Sequence, residues 1–458
     1  MWTPARLRNA AAGCRALVAF GALVLFPAAP LLGQGGGAPS SDAEVSAFIG
    51  VNVIPMDRER VLQDQTVVVR GDRIVEVGPR NQVRIPEGAR RIDGSGKYLI
   101  PGLAEMHGHL PSPRSSPEYA ERVLFLYVAN GVTTVRGMQG AEGQIELRER
   151  VNRGEVIGPT LYVAGPGFTG QTARTPEQAT ERVRQQKAEG WDLLKILPGI
   201  PRDAYDAIVR TAREVGIPFA GHVPADVGIL HALEVKQHTV DHLDGMIEYL
   251  GGDRGPLDPA RTAELARRTR EAGVPVVPTM AVWEVLIGAI PLDSLRGYPE
   301  LRYLPRNVVD SWMRAKERQF SDPNFDATRA RRIAENRIQL LRALHEAGVQ
   351  ILFGTDSPQQ FSVPGFSIHR EFPLMRAAGM TPYQILESAT RNIGEHFRDK
   401  DRFGTIAPGM RADLVLLEAN PLEDISNVRR VAGVMARGRW LSAEDIRARL
   451  ERIQTASS

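Results

Sequence analysis

His107 and His109 stand two residues apart, directly after an apolar run from Leu99 to Met106. In a strand, residues i and i+2 project from one face, so the two imidazoles point together. Gly108 between them lets the backbone lie close to its neighbours. Alone, a His-x-His pair is a weak signal, because two histidines this close also occur as hydrogen-bonded core residues. It gains weight from residues that end other apolar runs: Lys195 inside Leu193-Leu-Lys-Ile-Leu197, His222 after Pro218-Phe-Ala-Gly, His242 after Thr239-Val-Asp, and Asp356 in Gly354-Thr-Asp. Imidazoles with a carboxylate make a nitrogen and oxygen ligand set suited to Zn, Mn, Fe, Co or Ni rather than to Ca. Lys195 is the odd member. An ammonium among apolar strand neighbours carries a heavy desolvation cost and repels cations, so it must be neutralised, exposed or chemically changed.

These residues need a scaffold that brings strand ends together. Between residues 99 and 401 apolar runs alternate with amphipathic stretches, the pattern of βαβ units around a parallel sheet. Eight runs are candidate strands: Leu99 to Met106, Thr133 to Arg136, Leu161 to Ala164, Asp192 to Leu197, Pro218 to His222, Thr239 to His242, Val274 to Pro278 and Ile351 to Gly354. Eight strands with helices over this length fit a (β/α)8 TIM barrel, whose strand ends converge on one mouth. By periodicity alone a doubly wound sheet fits as well. A repeated unit, Arg213-Glu-Val-Gly, Arg270-Glu-Ala-Gly and His345-Glu-Ala-Gly, closes three helical stretches and precedes an apolar run each time. Gly216, Gly273 and Gly348 suit the left-handed position that stops a helix.

Short alternating runs separated by turn residues fill 46–98 and return in 402–445, which predicts one small composite β-sandwich domain built from both chain ends. Residues 281–330, with Trp283, Tyr298, Tyr303 and Trp312, are too long for an ordinary connection and read either as a lid over the mouth or as a packing excursion. Residues 446–458 are left as a C-terminal tail.

At the N-terminus, Arg6, Arg8 and Arg15 without acid precede an apolar run from Ala16 to Phe26 and then small residues up to Gln34. That order predicts a cleaved signal peptide over 1–34 and an exported protein, periplasmic or secreted, with 35–45 as linker. The apolar run is too short to span a membrane comfortably and is followed by Pro27 and Pro30, so no stable insertion is expected after cleavage. The chain holds 57 Lys plus Arg against 54 Asp plus Glu; removing three arginines leaves 54 of each, and nothing points to nucleic acid. The single cysteine, Cys14, leaves with the signal, so any metal must be held by histidine, carboxylate or modified lysine.

Taken in order, Pro101-Gly-Leu-Ala-Glu-Met-His-Gly-His109, Gly131-Val-Thr-Thr-Val-Arg136, Ala220-Gly-His222, Val240-Asp-His242 and Gly354-Thr-Asp356 closely resemble the amidohydrolase superfamily, in its imidazolonepropionase-related and prolidase-like branch. Ala389-Thr-Arg-Asn392, Gly404-Thr-Ile-Ala-Pro-Gly409 and Ala412-Asp-Leu-Val415 resemble the same group. The resemblance implies two divalent metal ions, zinc being the expected one. His107, His109 and Asp356 would hold the first and His222 and His242 the second, bridged by a carboxylated Lys195 and a hydroxide. Asp356 would be the catalytic proton carrier in hydrolysis of amide-type bonds in dipeptides or N-acyl amino acids. The rivals are a mononuclear deaminase or cyclic-amide hydrolase with unmodified Lys195, and an inactive metal-dependent binding protein.

Glu105 stands where Asp is usual, and Gly137 where Asp often follows Arg136, which leaves substrate contacts near strand two open. Arg136 is a candidate for a substrate carboxylate or for a structural ion pair, and His369 a candidate substrate contact. His231, His238, His345 and His396 read as ordinary structural residues. The partner is a small molecule or short peptide, and assembly into a homo-oligomer is left open.

Overall fold

The structure, a computed structural model, describes residues 44–112, 114 and 116–457. The signal peptide and most of the linker expected over 1–45 lie outside the described residues. Among those residues no helix is long and apolar enough to cross a membrane.

Alternation of apolar and polar residues produces the N-terminal strands β1 (Val45–Val53), β2 (Leu62–Arg70), β3 (Arg73–Pro79), β4 (Arg90–Asp93) and β5 (Tyr98–Pro101). Short, fully buried runs form β6 (Leu103–Gly108), β7 (Val132–Gly137), β8 (Thr160–Val163), β9 (Leu194–Ile196), β10 (Phe219–Gly221), β11 (Val240–Asp241) and β12 (Val276–Val277). The chain ends with β13 (Leu414–Leu417), β14 (Val431–Ala436), β15 (Arg439–Ser442) and a helix over Ala443–Ser457 whose Ile446 and Ile453 are buried.

Both ends of the chain meet in one eight-stranded sheet, in the order β15-β14-β13-β5-β1-β2-β3 with β4 paired to β1. Phe48, Val67, Leu99, Ile406, Leu414 and Met435 share one apolar cluster across it. The first barrel run is thus split. Tyr98–Pro101 pairs antiparallel with Leu414–Leu417 in this sheet, and only Leu103–Gly108 continues into the parallel layer, with Gly102 as the joint. A Cβ on Gly102 would fall 2.0 Å from Thr133 Oγ1, so the crossing requires glycine.

The remaining strands are parallel, in an α/β fold of TIM-barrel type. They form two ladders, β6-β7-β8 and β9-β10-β11-β12, joined through the parallel bridges Ala164 to Leu193 and Phe168 to Ile196. The eighth expected strand does not form a ladder. Ile351 makes one parallel bridge to Val276, and Phe353 accepts a hydrogen bond from Met106 N at 2.8 Å. Beyond it the Thr355 N–H goes to the Glu105 carboxylate instead of a strand neighbour, and Asp356 takes φ of 60°, so the extended path ends there. Helices between the strands stop where the repeat predicts: Gly216 and Gly273 cap theirs at φ of 66°, and Gly348 follows a third at φ of 75°.

Arg411 joins the two layers. Its side chain is fully buried, paired with Asp401 and with Asp413 at 2.7 Å, and it donates to Thr134 Oγ1 on β7. Replacing it with Met should lower stability by about 3 to 5 kcal/mol, because two carboxylates lose their partner. A urea midpoint unchanged from the parent would show that this contact does not hold the sheet to the parallel layer.

Candidate metal centre

Along β6 the period of two places Glu105, His107 and, just past the strand end, His109 on one face. The segment 355–357 is fastened to this edge by main-chain bonds, Asp356 N to His107 O at 2.6 Å and His109 N to Ser357 O at 2.7 Å. Glu105 adds side-chain bonds to Thr355 N and Oγ1 at 2.6 and 2.8 Å. Its task is to fix the Asp356 segment, and burial pushes its carboxyl up to about 8. Asp356 Oδ1 then lies 2.6 Å from His109 Nε2 and 3.6 Å from His107 Nε2, with Oδ2 3.7 Å from His242 Nδ1.

His222 and His242 directly follow β10 and β11, so they arrive at the same end of the parallel layer. Ring centroids of His107 and His242 are 4.3 Å apart, and those of His222 and His242 4.6 Å. His242 and Asp356 both hold left-handed backbone, φ 65° and 60°, a conformation that costs about 1 to 3 kcal/mol and is retained where surrounding structure demands it. All six expected ligands, His107, His109, Lys195, His222, His242 and Asp356, line one cavity of about 330 Å3.

The histidines are oriented through their Nδ1 atoms. Asp241 Oδ2 is 2.6 Å from His107 Nδ1, Thr279 Oγ1 is 2.7 Å from His242 Nδ1, and Asp244 binds His222 Nδ1. A hydrogen-bonded Nδ1 leaves Nε2 as the free lone pair on His107 and His222, the arrangement found around ligating imidazoles. Burial, with Lys195 beside it, holds His107 well below the ordinary imidazole value; burial with His107 and His222 does the same for His242. Both rings are neutral, as metal ligation requires.

Lys195 is 1 % exposed, with Nζ 3.0 Å from His107 Nε2. Burial lowers its ammonium to about 8, so the free amine, the form that can add CO2, is within reach near neutral pH. Burial alone would raise the Asp356 carboxyl, but His107, the bond from His109 and Lys195 outweigh it and hold it at about 2. The donor set fits a metal ion best at one point: ligand atoms of His107, His109 and Asp356 lie within 4.8 Å of one another.

Two expected substrate contacts are not in this cavity. Arg136 is 1 % exposed, donating to Met106 O at 2.6 Å and to Asp241 at 3.3 Å, so it takes the structural ion-pair role and turns inward beneath the site. His369 lies in the first turn of the helix Ile368–Ala377, against Asn130 Oδ1 at 3.3 Å, because the loop after Asp356 carries the chain away from the mouth. Residues with no role assigned from sequence include Gln139, Leu197, Leu286 and Gln359, which share the cavity wall with Trp283, and Asp241, Asp244 and Thr279 behind the histidines. Trp283 and Leu286 come from the helix Met280–Leu286, so the start of the long excursion borders the mouth. Asp241→Asn should weaken metal binding by about 10- to 100-fold, since His107 loses its orienting carboxylate. A metal titration that matches the parent would remove Asp241 from that role.

A TIM-barrel-type α/β fold with histidines and an aspartate gathered at the strand ends defines the class of metal-dependent hydrolases. The chain belongs to the Amidohydrolase family, whose model matches residues 98–441. It is a hydrolase of carbon–nitrogen bonds, with imidazolonepropionases among its relatives and prolidases among the structures it resembles in fold. It is 26% identical over 417 residues to an imidazolonepropionase of Cutibacterium acnes, covering 85% of this chain and 93% of the relative. To the ochratoxinase of Aspergillus niger it is 22% identical over 459 residues, covering 85% and 84%. In fold it is similar to a putative prolidase from Bifidobacterium longum, with TM-score 0.70 and 22% identity over 90% of this chain and 99% of that one. A bottromycin amidohydrolase superposes with TM-score 0.72 and 23% identity over 90% and 91%.

Proposed function

We propose that this protein cleaves amide-type bonds in dipeptides or N-acyl amino acids, using two divalent ions, zinc the expected one, bridged by a carboxylated Lys195. The observation that carries the reading is the convergence of six side chains on one cavity, with Asp356 between His109 and His242. His107, His109 and Asp356 would hold one ion; His222 and His242 bring no carboxylate of their own, so a second ion there calls for an anionic Lys195. When bound, the ions supply a polarised scissile carbonyl and a hydroxide nucleophile near neutral pH. Asp356 orients the attacking water, accepts its proton and returns it to the leaving amine. Trp283 and Leu286 close the wall with apolar surface, and Gln139 and Gln359 offer hydrogen bonds to polar substrate groups.

A second reading, a mononuclear deaminase or cyclic-amide hydrolase, has one observation in its favour. Only His107, His109 and Asp356 form a compact ligand triplet among the described residues. Metal content near two ions per chain supports the first reading, and near one the second. The deciding assay loads the full chain with zinc and measures hydrolysis of dipeptides and N-acyl amino acids. Turnover of neither class, with metal in place, would overturn the proposal. Export to the periplasm or medium, supported by the order of segments in 1–34, is part of the same proposal and is checked by the N-terminal sequence of the mature protein.

A further inference from the structure

A second cavity, of about 130 Å3, lies at the opposite end of the parallel strands from the metal centre. Its lining residues Leu193, Pro218 and His238 precede β9, β10 and β11, whereas His222 and His242 follow the latter two strands. Exposure falls from mouth to floor. Lys400 and Asp399 are open to solvent, with side chains 43% and 96% exposed, while Arg136 at the inner end is 1% exposed.

The floor is chemically incomplete. Arg136 spends Nε on Met106 O and Nη2 on Thr239 and Asp241, but its buried Nη1 meets no acceptor among the described residues. His396 Nε2, also buried, has no partner either. A buried donor left without an acceptor costs about 1 to 3 kcal/mol, more when it is charged as Arg136 is, so two such atoms in one small cavity point to a ligand that accepts from both. Asp192 in the wall is already shared between Arg148 at 2.7 Å and Lys400 at 3.5 Å, and Asp241 is engaged with Arg136 at 3.3 Å, so both carboxylates beside the cavity are taken. Asp399 stands in solvent at the mouth.

The imidazoles of His238 and His396 lie against each other with centroids 4.2 Å apart and planes tilted by 52°. Burial, then Arg136 and Lys400, hold His238 at about 4, and burial with His238 beside it holds His396 at about 2. Each ring is therefore neutral and can turn an N–H toward an acceptor. Leu193, Pro218 and Phe397 give the cavity an apolar side next to these donors.

We propose that this cavity binds a small monocarboxylate, its two oxygens accepting from Arg136 Nη1 and His396 Nε2 and its short alkyl end lying against Leu193, Pro218 and Phe397. A planar carboxylate matches the fork of a guanidinium edge and a flanking N–H, and the apolar side distinguishes it from an inorganic anion. Arg136 also touches Asp241, which orients His107, so the bound anion sits three contacts from the metal centre.

The test titrates metal-loaded full chain with acetate and propionate by calorimetry at constant ionic strength, with sulfate as the inorganic comparison. Saturable binding of the carboxylates is expected, tighter for propionate than for sulfate. His396→Phe keeps the ring volume and removes a donor, and should weaken binding by about tenfold or more with unchanged metal content. Should that variant fail to fold, Lys400→Ala alters only the half-exposed mouth and should still weaken carboxylate binding by about threefold. No saturable binding to the parent, or equal affinity in a folded variant, overturns the proposal. The second result would place the anion elsewhere, such as on the metal.

Discussion

An Asp356→Asn variant is expected to lose hydrolysis by about 10³-fold or more while retaining most of its metal. Asparagine keeps the shape of the side chain and an oxygen to place near His109, now 2.6 Å away, so the pocket need not collapse. It cannot accept a proton. In the parent, Asp356 is ionised at neutral pH, held at about 2 by the opposing effects of burial and its histidine and lysine neighbours. That ionised oxygen is available both to steer the attacking water and to take its proton, and the same proton then serves the leaving amine. Asparagine can still steer but cannot shuttle.

Activity and metal content must be measured on the same preparation. Full metal with a rate within about threefold of the parent would remove Asp356 as proton carrier. Loss of metal in step with activity would leave it a ligand and nothing more. Asp356→Ala is less informative, because it also removes the acceptor that holds His109 and opens the contact between the 355–357 segment and β6.

What the sequence disclosed follows from where each signal is stored. His107 with His109, and His222 and His242 at the ends of apolar runs, are local patterns: the period of two and the strand end are written in adjacent residues. The cap glycines Gly216 and Gly273 are local as well, since their left-handed φ belongs to one position. The orienting contacts are not local. Asp241 reaches His107 across 134 positions, and Glu105 reaches Thr355 across 250, so only the folded layer brings them together. The same distance hides the fate of Arg136. At a strand end it fits a substrate contact or a structural ion pair equally, and only the folded layer shows Asp241 and Met106 O drawing it inward. The eighth run stops after Gly354, where Glu105, which in sequence is only an unusual residue before a histidine, captures the backbone N–H of Thr355, while Phe353 N inside the run is taken by Ser388 O. Likewise, nothing around Tyr98–Pro101 announces that β13, more than three hundred residues later, will take its hydrogen bonds in place of the parallel layer.

Lys195→Ala should reduce bound metal from two ions per chain to one and lower hydrolysis by about 10³-fold. Of the six cavity residues, Lys195 alone would repel a cation as an ordinary side chain. It is buried, and burial pushes its ammonium down to about 8 even though Asp241 and Asp356 oppose the shift; its hydrogen-bond neighbour is the His107 imidazole at 3.0 Å. Addition of CO2 to the free amine forms a nitrogen–carbon bond, releases a proton and replaces an unfavourable cation with an anion offering two oxygens. The charge reversal favours cation binding at His222 and His242, which otherwise have only neutral donors and a carboxylate, Asp244, already engaged with His222 Nδ1. Reloading chelator-stripped parent protein with zinc should therefore take up the second ion only when bicarbonate is supplied, whereas Lys195→Ala should load one ion with or without it. Two ions in the alanine variant, or full reloading of the parent under CO2-free conditions, would show that the second ion does not depend on a carboxylated Lys195.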